Sequence, residues 1–100
     1  MAPRKKSENR VALSAREIRA ITRVLSDPRR YQILKRIAAQ QCAACSDLRS
    51  TFPISAATLS HHVKELESSG LIVTTRRGKF LDVVFQRDTW DAYLKELNKL

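Results

Sequence analysis

Three groups of residues carry chemistry in this chain. Cys42 and Cys45 form a C-x-x-C pair around two alanines. Such a pair is half of a tetrahedral soft-metal site, a possible disulfide, or a redox sensor if a neighbouring helix start lowers a thiol pKa. No second thiol pair or nearby histidine completes a ligand set, so packing is the first reading, redox sensing at Cys42 and Cys45 is the alternative, and no metal site is expected. The second group, His61 and His62, would sit side by side on a helix. Adjacent helical residues point about 100° apart, so the two rings cannot chelate one ion. The third group is cationic: Arg76, Arg77 and Lys79 surround Gly78. No glycine-rich phosphate loop is present, and no Ser/His/Asp arrangement has supporting context. No enzyme is expected and no cofactor is implied.

What remains is binding chemistry. The chain has 100 residues with 19 Lys and Arg against 10 Asp and Glu, a formal net charge of +9. That balance points to a polyanionic partner. The length suits one domain whose core is small enough that a dimer would help it. No apolar run approaches the roughly 18 residues of a membrane span. The opening MAPRKKSENR is charged with no apolar stretch behind it, so no export signal is read. Two cysteines without an export signal fit a reducing cytoplasm.

The elements that would position these residues centre on SDLRSTFPISAATLSHHVKELESS, Ser46 to Ser69. Ser46 is a helix N-cap with Asp47 in the first turn, and Pro53 ends that helix at Phe52. Ser55 caps a second helix from Ala56, with Ile54 and Leu59 as a hydrophobic staple. Gly70 stands where a left-handed C-terminal cap belongs. Short helix, tight turn and capped longer helix follow the pattern of helix-turn-helix DNA binding. Leu59, Val63 and Leu66 share the inner face of the second helix, with His62 on its edge. The opposite face presents Ala57, Ser60, His61 and Lys64, with Thr58 beside them and Ser55 at the cap. These small, hydroxylated or basic residues can approach base edges and phosphates.

Residues 1–12 read as a basic flexible arm and 13–100 as the folded domain. Ser14 and Glu17 form a capping box, Leu13 staples to Ile18, and Ile18, Ile21, Val24 and Leu25 make an apolar stripe. Asp27 and Pro28 start the next helix, to about Ala39, with Tyr31, Ile33, Leu34, Ile37 and Ala38 inward. Gln40 to Cys45 reads as a linker. After Gly70, residues 71–75 and 80–85 are two β runs around the basic tip, a hairpin whose Arg76, Arg77 and Lys79 are placed to reach DNA phosphate or the minor groove. Asp88 caps a final helix to Leu100 with a stripe of Trp90, Tyr93, Leu94, Leu97 and Leu100.

The expected class is mainly α with a small β-hairpin, in the order α-α-α-α-β-β-α, a winged helix-turn-helix. On LSDPRRYQILKRI, SDL, ISAATLSHHVKELESSGLI and RRGKFLDVVF, the chain resembles the ArsR/SmtB family of winged-helix repressors over roughly Leu25 to Phe85. The resemblance implies a homodimer that binds a palindromic operator in double-stranded DNA and represses transcription, with the first and last helices at the dimer interface. The apolar residues there are Ile18, Ile21, Leu25, Trp90, Tyr93, Leu94 and Leu97. Many family members sense metals through a C-V-C motif or through ligands on the last helix. Here the thiols are one residue too far apart and lie slightly upstream, and the last helix has no histidine. The metal sites therefore do not carry over. The rival from another class is a winged helix that binds partner proteins, which the basic tip and arm disfavour.

Overall fold

The computed structural model describes residues 12–100. The expected basic arm, apart from Ala12, lies outside the described residues. Helix α1 (Ala15–Leu25) begins at the expected capping box: the Ser14 hydroxyl accepts from the Glu17 N–H at 3.1 Å and the Glu17 carboxylate accepts from the Ser14 N–H at 2.8 Å. Helix α2 (Pro28–Gln40) is capped by Asp27, whose carboxylate accepts from the N–H groups of Arg29 and Arg30. Those donors hold the Asp27 carboxyl below its ordinary range.

Gln41 follows with φ +65°, the one non-glycine residue with positive φ among those described. Its carbonyl accepts from the Phe85 N–H at 2.9 Å. The expected linker then becomes strand β1 (Cys42–Ala44), antiparallel to β3 (Phe80–Phe85) in the register Cys42↔Val84 and Ala44↔Asp82. With β2 (Ile72–Arg77) on the other side of β3, the sheet has three strands in the order β1-β3-β2. The expected two-stranded hairpin is thus extended by one strand. Three residues are too few to show alternation, and their hydrogen-bond partners lie some forty positions away.

Helix α3 (Cys45–Thr51) starts one residue before the expected cap, with Ala44 at the N-cap and no side-chain cap bond. β1 runs straight into it, so sheet pairing decides the start. Helix α4 (Ala56–Ser68) is capped as expected: the Ser55 hydroxyl accepts from the Thr58 N–H at 3.0 Å. Gly70 takes φ +88°, which terminates the helix and turns the chain into β2. The last helix, α5 (Arg87–Leu97), starts before Asp88, with Gln86 at the N-cap. The Asp88 carboxylate accepts instead from the N–H of its neighbour Thr89.

Ile21, Ile33, Ile37, Leu48, Leu59, Leu66, Leu71, Ile72 and Val83 are the largest fully buried side chains, drawn from four helices, the sheet and the turn before it. The one core thus clamps α3 and α4 between the scaffold helices and the sheet. Tyr31, expected inward, is 45% exposed. It lies beyond the stripe that buries Ile33, Leu34 and Ile37.

Candidate nucleic-acid interface

Helix α4 is held from beneath and open above. Leu59, Val63 and Leu66 are buried, whereas Ala57, Thr58, Ser60, His61 and Lys64 are all exposed. Burial of the first set fixes the rotation of the helix, and rotation alone then presents the second set to solvent. At the N-terminus the Ser55 hydroxyl also donates to the Thr58 hydroxyl at 2.9 Å, which orients Thr58 through the cap.

His62, expected at the helix edge, is 8% exposed and packs beneath α4. Its Nδ1 has no hydrogen-bond partner among the described residues. Burial pushes its pKa down; Asp27 opposes the shift, and Arg30, His61 and Arg29 add to it. Only His61 remains outward as an imidazole contact.

The hairpin closes through a two-residue turn, Gly78–Lys79, between the paired residues Arg77 and Phe80. Gly78 has φ +65°. A positive φ at the first turn position suits glycine, as in a type II′ turn. The tip cations are not equivalent. Arg76 is exposed, but Arg77 donates to both carboxylate oxygens of Asp82, at 2.9 and 3.2 Å, and its guanidinium lies 5.9 Å from the Phe80 ring centre. Thr75 pairs directly with Asp82, so Arg77, two residues on, meets the carboxylate diagonally on the same face. The pair pushes Asp82 down and Arg77 up. Lys79 stands at the exposed tip.

The two thiols are separated by the β1-to-α3 junction. Cys42 is exposed on β1 and Cys45 is half-buried at the first turn of α3. A redox role requires the helix start to lower a thiol pKa. Burial instead pushes Cys45 up, with Arg49 opposing and Asp82 adding to the shift. A thiol with less thiolate is a poorer nucleophile, which disfavours redox sensing at this position. Among the described residues no three His, Cys, Asp or Glu side chains gather as a metal ligand set. His62 lies on the buried face of α4 and His61 on its exposed face, so the two imidazoles point to different environments.

The expected dimer residues divide. Ile21 is fully buried and Tyr93 6% exposed, its hydroxyl bonded to that of Thr22 at 2.9 Å; both belong to the chain's own core. Ile18, Leu25 and Trp90 are half-buried, while Leu94 and Leu97 are 40% and 43% exposed. Sequence reasoning missed Arg49 on α3, exposed next to the N-terminus of α4. Its one signal was a basic residue three positions after Ser46, on the helix that in this motif crosses the DNA backbone.

No helix of the described residues is long and apolar enough to cross a membrane. A family of helix-turn-helix domains matches residues 25–75. The chain is 37% identical over 83 residues to an arsenical resistance operon repressor of Staphylococcus xylosus, covering 74% of this chain and 79% of that one. Its backbone matches the crystal structure of an ArsR family transcriptional regulator with a TM-score of 0.77 at 25% identity, covering 88% and 90% of the two chains. It also matches the homodimeric winged helix-turn-helix DNA-binding domain of a possible ArsR-family regulator from Mycobacterium bovis, with a TM-score of 0.69 at 22% identity over 86% and 85%. The helix-turn-helix held between scaffold and wing and the sequence kinship agree: the chain belongs to the ArsR family of winged helix-turn-helix DNA-binding transcriptional repressors, not to a family of enzymes.

Proposed function

We propose that this repressor works in the cytoplasm as a two-fold homodimer, folded over residues 13–100, on an inverted-repeat operator. Helix α4 reads the major groove through Ala57, Thr58, Ser60, His61 and Lys64, with Ser55 at its cap. The hairpin β2–β3 reaches the flanking backbone or minor groove. The observation that carries this reading is the division of α4: one face is locked in the core, and the outward positions from Ala57 to Lys64 are small, hydroxylated or basic and all exposed, with the acidic Glu67 only in the last turn. Residues of α1 and α5 form the dimer contact, with Leu94 and Leu97 at its centre and Ile18, Leu25 and Trp90 around them. Two-fold symmetry then sets two half-sites one duplex turn, or a multiple, apart.

Metal ions do not control it on this reading, because the available thiols and imidazoles lie on separate elements. Selection of bound sequences from random duplex DNA tests the whole proposal, repeated with and without reductant, zinc, cadmium, copper(I) and arsenite. An inverted repeat recovered under every condition is expected. Recovery of no sequence preference would refute the operator reading. Operator binding lost at sub-micromolar metal, and restored by Cys42→Ser or Cys45→Ser, would make the thiol pair a sensor.

A further inference from the structure

The basic side chains around α4 are sorted by their partners. Arg77 is engaged by Asp82 and Arg36 by Asp47, whereas Arg49, Lys64 and Arg76 carry no ion pair among the described residues. These three come from three different elements, α3, α4 and β2, and they line one groove of about 300 Å³ between α4 and the hairpin. Its floor is apolar, built from Leu59, Val63 and Leu81. Arg49 also borders a second depression on the other side of Ala56, beside Ser46 and Ser50. It therefore stands on the ridge at the start of α4.

We propose that this groove seats the sugar-phosphate strand that separates the major from the minor groove, with phosphates held by Arg49, Lys64 and Arg76. The inference rests on the DNA-binding reading above. If α4 lies in the major groove and the hairpin meets the adjacent minor groove, the strand between those grooves passes between the two elements. The groove there has the chemistry of that strand: unpaired cations at the rim for phosphate, an apolar floor for deoxyribose, and Ala56 small enough for close approach. The groove also has an anion-repelling end. Glu67 lines it about 16 Å along the helix from Ala56 at 1.5 Å per residue, and its carboxylate accepts from both the N–H and the hydroxyl of Thr74. That contact ties the wing to α4 and confines the phosphates to the end near Arg49. The wing cations without an ion pair among the described residues are thus Arg76, which lines the groove, and Lys79 at the tip, with Arg77 acting as a brace.

The test is the salt dependence of binding to the operator recovered by selection, measured by fluorescence anisotropy on the 100-residue chain. Arg49→Gln and Arg76→Gln should each flatten the slope of log affinity against log salt by about 0.9 per lost phosphate contact. Arg77→Gln should flatten the slope by less than either, because the Arg77 guanidinium is already held by Asp82. Duplexes carrying one neutral methylphosphonate at successive positions supply a second readout. At one position the Arg49→Gln loss should vanish, because the charge it meets is already gone, and a merely structural role would not produce that. Wild-type binding that is steeply salt-dependent, with an unchanged slope in Arg49→Gln and no such position, would overturn the groove while leaving the DNA-binding reading intact. Wild-type binding with no salt dependence would overturn both.

Discussion

The double variant Leu94→Glu/Leu97→Glu probes the proposed dimer directly. These leucines are 40% and 43% exposed in the single chain. Fully burying a leucine is worth about 1.5–3 kcal/mol, so covering the remaining exposed share of each gives about 0.6–1.3 kcal/mol. A two-fold pair has four such side chains, hence about 2–5 kcal/mol of dimerisation. Carboxylates at those positions forfeit all of it and add the cost of burying charge. The dimer dissociation constant should therefore rise by at least about 30-fold, since each 1.4 kcal/mol is tenfold. Sedimentation equilibrium at micromolar concentration should show a dimer for the wild type and a monomer for the variant. The variant should melt as a folded monomer, because neither leucine belongs to the buried core. It should bind an isolated half-site and lose the preference for the complete inverted repeat. A wild-type monomer at micromolar concentration, or a variant that stays dimeric, would refute the reasoning.

Three further outcomes are expected. Ser60→Ala and His61→Ala should each change the base preference recovered by selection; unchanged preference and affinity in both would remove these residues from the interface. Ser55→Ala deletes the α4 cap and the bond that orients Thr58, so it should cost about 1 kcal/mol of stability in urea titrations, and no loss would show the cap to be redundant. Burial holds the His62 pKa below 6.5, so the stability it contributes is complete above that pH and declines as the pH falls below it, when the unfolded chain takes up the proton first. The neighbouring Asp27 titrates below 3.8 and does not act in that window. His62→Leu should therefore flatten the fall in urea midpoint between about pH 7 and 5.5, and an unchanged fall would place its origin elsewhere.

The sequence by itself determined whatever local chemistry decides. The reciprocal Ser14–Glu17 box, Asp27 before Pro28, Ser55 at the α4 cap and the left-handed Gly70 each act within a few residues, and each stands where the residue types put it. The outward face of α4 was legible for the same reason, since its buried stripe repeats with the helical period. Only the tertiary structure decided what depends on distant partners. β1 exists because Cys42 to Ala44 pair with Asp82 to Val84, and nothing in three residues announces that. Hairpin register, not composition, sets Arg77 against Asp82 and leaves Arg76 without an ion pair among the described residues. Ile21 and Tyr93 looked like interface residues on their stripes, but the packing of the scaffold helices with the rest of the core closes over both. Arg49 gained a role in the same way, when folding brought α3, α4 and β2 to one groove. Periodicity reports which face of an element is apolar; which surface covers that face, and which charges meet, is settled only when all the elements pack together.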